Sequence, residues 1–223
     1  MAHLSNDEAL CGAFANGQDV HRATAARIFG VRPEQVEGSQ RSAAKTINFG
    51  SVYGMTSFGR SKELGLDPSQ AQEFSDQDVA RYPSVKGYLE RSLQESRQRG
   101  YCLTLFNRRR NIPELRAKEL SVRQFAERMA INAPIQGSAA DLIKVAMVML
   151  DEALEREGFA ARMVCQVHDE LIFDVPGPEM EKVKRRVKEI MEAPVFSGKP
   201  IRLGVPIEVN LKAGRNWYEA SHA

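Results

Sequence analysis

The chain has 223 residues, 43% hydrophobic and 27% charged, with a formal net charge of +2; this is globular composition with enough length for a buried core. A non-specific DNA-coating protein is usually more basic, but an enzyme that concentrates its positive charge in a cleft need not be, so bulk charge does not decide the class. Cys11, Cys102 and Cys165 are odd in number and far apart, and His3, His21, His168 and His222 have no zinc spacing, so neither a disulfide framework nor structural zinc is expected, and reduced thiols in a cytosol fit better. The start of the chain lacks a leader pattern and the longest apolar run, residues 145–150, is far short of a membrane span, so a soluble cytoplasmic protein with no membrane partner is expected.

The first half reads as short helices. Ser5-Asn6-Asp7-Glu8 supplies capping chemistry for one that Gly17 closes, and Asp19 caps a second that passes through His21 and ends at Gly30. A third is predicted over residues 39–53, with further helical stretches at 55–64 and 68–79. Pro83 then opens a longer helix that stops at Gly100. Residues 101–113 change period to a small hairpin turning at Phe106-Asn107 and closed by Pro113. A helix over residues 117–131 is expected to break at Asn132-Ala133-Pro134, with another starting near Ser138 and running to Gly158. Residues 162–167 and 171–175 read as two strands joined at His168-Asp169-Glu170, residues 179–191 as an amphipathic helix, and residues 205–211 as a final strand. Trp217 reads as a core anchor. The pattern is α+β, helical first and mixed afterwards, with a boundary near residues 115–128.

Two segments carry chemistry. In the third helix, Arg41, Lys45, Phe49 and Tyr53 lie four apart. Each step of four advances about 400° around a helix, so the four side chains wind slowly along one face. Two cations followed by two flat rings suit a nucleoside triphosphate, the cations taking phosphates and the rings sugar and base. A surface helix with two solvated cations and two core aromatics would give the same spacing. The second segment places Asp169 and Glu170 at a tight turn between apolar strands, where adjacent carboxylates repel and a hard cation such as Mg²⁺ relieves them. A solvated acidic turn is the plainer alternative. Arg108-Arg109-Arg110 beside the first hairpin could grip phosphates or be a solvated turn, and Lys182, Lys184, Arg185, Arg186 and Lys188 read as the wet face of a helix.

The pattern Arg-x-x-x-Lys-x-x-x-Phe-Gly-x-x-Tyr-Gly that starts at Arg41 resembles the nucleotide-binding motif of family A (DNA polymerase I-type) DNA polymerases. Gln166-Val167-His168-Asp169-Glu170 resembles the C-terminal carboxylate motif of the same family. Arg128-Met-Ala-Ile-Asn132-Ala-Pro-Ile-Gln136-Gly-Ser resembles its template–primer contact region. The resemblance implies a fragment of a right-hand polymerase. Helical fingers would occupy residues 1–120, with the end of the first palm motif at 1–5. A palm with an antiparallel sheet and packed helices would occupy residues 121–223. It implies catalytic roles for Asp169, Glu170 and Lys45, with Asp169 binding Mg²⁺ in a two-metal site. It implies dNTP binding by His21, Arg41, Lys45, Phe49 and Tyr53, and DNA contacts from Arg128, Asn132, Gln136 and His168. The partners so implied are primer–template DNA and dNTPs, and the setting the cytoplasm of a bacterial or phage-infected cell.

The sequence departs from that family in places. Ala2-His3-Leu4-Ser5 matches only the end of a motif that begins Asp-Tyr-Ser, so the metal site is expected to be incomplete and these residues alone inactive. A separate chain supplying the N-terminal palm and thumb, or a non-catalytic DNA- or nucleotide-binding module, are the alternative expectations. Asp76-Gln77-Asp78 and Asn107, where the family has more apolar residues and a Gly, put local packing in doubt.

Overall fold

The computed structural model describes residues 1–52, 67, 69 and 82–222. The helices expected at 55–64 and 68–79, the Asp76-Gln77-Asp78 departure and Tyr53 lie outside or almost wholly outside those residues. Contacts divide the chain into two compact units, Met1–Gln136 and Gly137–Ala223.

The first unit opens with a short helix, α1 (Ala2–Ser5), then α2 (Glu8–Ala15), α3 (Val20–Ile28) and α4 (Gly38–Val52). The starts follow from the caps. Asp7 accepts the backbone N–H of Leu10, and Asp19 accepts those of His21 and Arg22, satisfying donors that a helix leaves open at its N-terminus. Gly17 and Gly30 sit just beyond α2 and α3 at φ 63° and 64°, a left-handed conformation that glycine adopts without steric cost. Ala25, Ala26, Val36 and Ala44 form a small buried cluster between α3 and α4, and alanines there let the two helices approach closely.

Next come α5 (Pro83–Arg99), a hairpin of β1 (Tyr101–Leu103) and β2 (Arg109–Asn111), and the long α6 (Leu120–Arg156). Cys102, Ile112, Leu115, Ala126, Ala130 and Ala133 make the core that joins hairpin to helix. Asn107 occupies the hairpin turn at φ 59°; asparagine tolerates the left-handed region better than most residues, so it can stand where the family has glycine.

The expected break at Asn132-Ala133-Pro134 does not occur: α6 runs through Pro134. Proline removes one helical hydrogen bond and costs about 3 kcal/mol in a helix interior. Here the flanking turns bury Ala126, Ala130 and Ala133, and Pro134 itself is buried, so packing overrides the local breaker. By length and composition alone, helix α6 is long and apolar enough to cross a bilayer, with an 18-residue window of mean hydropathy 1.2. Part of its apolar surface serves protein cores, the alanines above in the first unit and Leu150, Ala153 and Leu154 in the second, while Leu120, Phe125 and Val148 are exposed.

In the second unit, β3 (Arg162–Val167) and β4 (Glu170–Asp174) form an antiparallel hairpin, followed by α7 (Met180–Glu192), a two-residue pair β5 (Val195–Phe196) and β6 (Lys199–Pro200), and α8 (Trp217–His222). Val183, Val187 and Ile190 of α7 pack with Leu150, Ala153, Leu154 and Ala161, against which Leu171, Phe173 and Val175 lean. The basic residues of α7 stay outside this core, as the pattern predicts. Arg186 bonds Glu157 and Glu189, and Lys184 bonds Glu181.

Two expectations fail here. Residues 205–211 form no strand. Exposure alternates along them as in a strand, but Pro206 lacks an N–H and Val209 gives its own to the Glu192 carboxylate, so no ladder forms. Trp217 is 55% exposed at the head of α8 rather than a core anchor; a six-residue helix has no second apolar turn with which to bury an indole.

Candidate functional site

Helix α4 carries Arg41 and Lys45, and Asp19 at the start of α3 meets them. Arg41 Nε donates to Asp19 Oδ2 at 2.6 Å, while Asp19 Oδ1 accepts the backbone N–H groups of His21 and Arg22. One carboxylate therefore caps α3 and pins a guanidinium of α4. Partial burial pushes the Asp19 carboxyl up, but the Arg41 hydrogen bond, the Arg22 N–H and the charges of Arg41 and His21 together hold it below the ordinary carboxylate value. His21 lies on the first turn of α3. Burial lowers its pKa, and the cations Arg41 and Lys45 lower it further against the opposing pull of Asp19. The fold therefore favours the neutral imidazole.

The structure brings in one residue that the sequence reading missed. Asn48 Nδ2 lies 3.0 Å from His21 Nδ1, and the Asn48 side chain is 8% exposed. Arg41, Lys45 and Asn48 stand at i, i+4 and i+7, the stripe that two helical turns bring to one face, and that spacing was the signal available. His21, Arg41 and Lys45, three of the expected triphosphate ligands, thus share one corner with Asp19 and Asn48. The Phe49 side chain and Tyr53 lie outside the described residues.

Arg128, Asn132 and Gln136 follow one another at i+4 along α6. Because the helix is unbroken, they form a single stripe rising about 6 Å per step. The Arg128 guanidinium lies 5.8 Å from the Phe125 ring centroid, Gln136 is exposed, and Asn132 Oδ1 is buried with no hydrogen-bond partner. Nearby, Arg110 Nη2 lies 3.5 Å from Met129 Sδ, and Arg109 stacks 3.9 Å over the Tyr101 ring.

The carboxylate turn is built differently. Val167 pairs with Glu170, so the turn is His168-Asp169 alone and Glu170 belongs to β4, one residue earlier than the strand predicted at 171. His168 stands at φ 54° and its carbonyl accepts from Gln166 Nε2 at 2.9 Å. A register shift between Met163 and Cys165 leaves Val164 outside the ladder; such bulges bend a strand and re-aim its end. His168, Asp169 and Glu170 are all exposed. Their carboxylate oxygens are the hard donors that Mg²⁺ accepts, an ion that keeps waters and uses one or two carboxylates together with substrate phosphates. Among the described residues no three His, Cys, Asp or Glu side chains are grouped to hold an ion, so the turn fits a shared, solvated ion and not a closed protein cage. The three cysteines are free thiols.

Residues 1–219 match the family model for DNA polymerase family A. Over 221 residues the chain is 44% identical to DNA polymerase I of Streptococcus pneumoniae, an alignment covering 99% of this chain and 24% of that protein. It is 47% identical over 220 residues to the thermostable DNA polymerase I of Thermus aquaticus, covering 99% of this chain and 26% of that one. It thus spans about a quarter of the length of the curated relatives it matches. Among solved structures, the POL domain of Pol1 from M. smegmatis, in complex with DNA primer-template and dNTP, has a TM-score of 0.90 and 39% identity, covering 99% of this chain and 38% of that chain.

Proposed function

The chain belongs to DNA polymerase family A and has the α+β fold of a fragment of that polymerase domain; from that premise we propose that it takes part in template-directed DNA synthesis, transferring a nucleotidyl group from a dNTP to a primer 3′-end. The observation that carries this reading is the gathering of His21, Arg41 and Lys45 against Asp19, a preassembled cationic corner suited to a triphosphate.

In this reading Lys45 and Arg41 hold the triphosphate, His21 assists at its outer phosphates, Phe49 flanks the sugar, and Tyr53 stacks near the template base. Arg128, Asn132 and Gln136 offer donors to minor-groove acceptors common to all base pairs, which tests pair geometry without reading sequence. His168 touches the primer end. Asp169 holds Mg²⁺ and Glu170 supports it; bound there, a pair of divalent ions would neutralise charge on the attacking 3′-oxygen and the leaving pyrophosphate. Residues 1–120 act as fingers and 121–223 as palm, in the cytoplasm of a bacterial or phage-infected cell. The 223 residues by themselves bind dNTP and primer–template without extending it, because Asp169 needs a second carboxylate from the N-terminal palm, on this polypeptide or a separate chain.

Titrating the 223-residue chain with a fluorescent dNTP and a labelled primer–template tests this. Lys45→Ala is expected to weaken dNTP binding about tenfold or more while leaving duplex affinity within about twofold. Equal nucleotide affinity in the two proteins would remove the triphosphate reading, and robust extension by the chain alone would overturn the need for a second carboxylate.

A further inference from the structure

We propose that Asn48 is a positioning residue that fixes His21 as the tautomer carrying its proton on Nε2, so that the ring presents an N–H donor to the triphosphate. The inference rests on the reading of His21 given above and extends it to a residue that reading does not include.

Asn48 is more than nine-tenths buried on α4, and its Nδ2 lies 3.0 Å from Nδ1 of His21 on α3. An amide nitrogen can only donate, so Nδ1 must accept and carries no proton. A neutral imidazole has one N–H, which then lies on Nε2. The surroundings favour the neutral ring: burial disfavours a second proton, Arg41 and Lys45 repel it, and Asp19, the one carboxylate facing the ring among the described residues, is engaged by Arg41. The reverse amide orientation would put Oδ1 on Nδ1 and require the proton there. It would also leave two N–H donors in the buried position now holding the single unpartnered acceptor Oδ1. A buried acceptor without a partner is a net cost to the fold, and here it accompanies the contact that the other end of the amide makes with His21. Ionised phosphate oxygens accept hydrogen bonds and do not donate, so a neutral imidazole meeting them through Nε2 can bond them only in this tautomer.

The test labels the histidines of the full 223-residue chain with ¹⁵N, assigns His21 by the loss of its signals in His21→Gln, and reads the tautomer from long-range ¹H–¹⁵N correlations. The expected result is protonated Nε2 and bare Nδ1 at pH 7. Asn48→Asp keeps the shape but offers only acceptors, so it should put a proton on Nδ1. A wild-type ring protonated on Nδ1 would overturn the proposal, as would an unchanged tautomer in Asn48→Asp. A double-mutant cycle on dTTP affinity gives the second readout. His21→Gln is expected to weaken binding several-fold in the wild type and by less than half that factor in the Asn48→Asp background. Fully additive losses would show that Asn48 acts otherwise. The expected tautomer combined with no loss in His21→Gln would overturn the role of His21 at the triphosphate and the positioning role with it.

Discussion

The cationic corner on α3 and α4 and the carboxylate turn between β3 and β4 handle like charge in opposite ways. At the corner, one cation and the imidazole are braced from within: Asp19 holds Arg41 and Asn48 holds His21, with a small buried cluster of alanines between the two helices. At the turn, two adjacent carboxylates face solvent, and the Gln166 amide bonds the His168 carbonyl of the turn backbone and not the carboxylates. The corner carries its own counter-charge and needs none from outside to assemble. Among the described residues no ion pair engages Asp169 or Glu170, so in the proposed reading the positive charge that draws these carboxylates together arrives with ligand. Substitutions at the corner should therefore show in binding even without chemistry, whereas substitutions at the turn should be nearly silent until the reaction runs.

The largest effect should come from Asp169→Asn. With the remaining polymerase segments supplied, extension is expected to fall about a hundred- to a thousandfold, the range for removing one group that stabilises transition-state charge. The unfolding midpoint should barely move, because an exposed carboxylate beside Glu170 contributes repulsion and no packing. Extension within a fewfold of wild type would break the comparison at its stronger end. Comparable losses of stability and rate would show instead that the turn is braced from within, like the corner.

Asp19→Asn probes the other region at smaller amplitude. Asparagine caps helices about as well as aspartate, so α3 should keep its start, but Arg41 loses its ionic partner. Arg41 and Asp19 are 41% and 32% exposed, so solvent screens the pair and its loss should cost under about 1 kcal/mol of stability. Affinity for dNTP should fall about three- to tenfold, corresponding to ~0.7–1.4 kcal/mol, since Asp19 engages Nε and orients the terminal nitrogens. Tighter binding would mean that Asp19 sequesters Arg41 and does not aim it, sharpening the contrast in the opposite direction.

The same contrast explains what was legible in the sequence. Gly17, Gly30, Asn107 and the capping oxygen of Asp19 act within a few residues of themselves, and the elements they bound are legible nearly to the residue. Pro134 misled because its local meaning was overruled by Ala126, Ala130 and Ala133 packing against the hairpin, and no local rule weighs that packing. Residues 205–211 alternate as a strand should, but a strand also needs a partner, and pairing is not a local property. At the corner, Arg41 and Lys45 were read from their spacing, while Asn48, one stripe position further, was passed over because its contact with His21 spans 27 residues of sequence.

The smallest expected effect tests whether the corner's bracing is electrostatic. Both acid–base groups there have depressed pKa values in the fold. For His21 the unfolded chain, near the ordinary value of 6.5, takes up a proton more readily than the folded one. Its contribution is therefore present in full above about pH 6.5 and is lost as pH falls through the lower folded value. Asp19 follows the same sign in a lower window, below its ordinary 3.8. Between pH 7 and 5.5, then, only His21 should act, lowering unfolding free energy by less than about 1 kcal/mol. Urea unfolding of wild type and His21→Gln at both pH values measures it. The variant should lose less stability on acidification than the wild type, because it has no imidazole to protonate beside Arg41 and Lys45. Parallel losses in the two proteins would mean that the imidazole is not held neutral by these cations, and the corner would then be braced by packing alone.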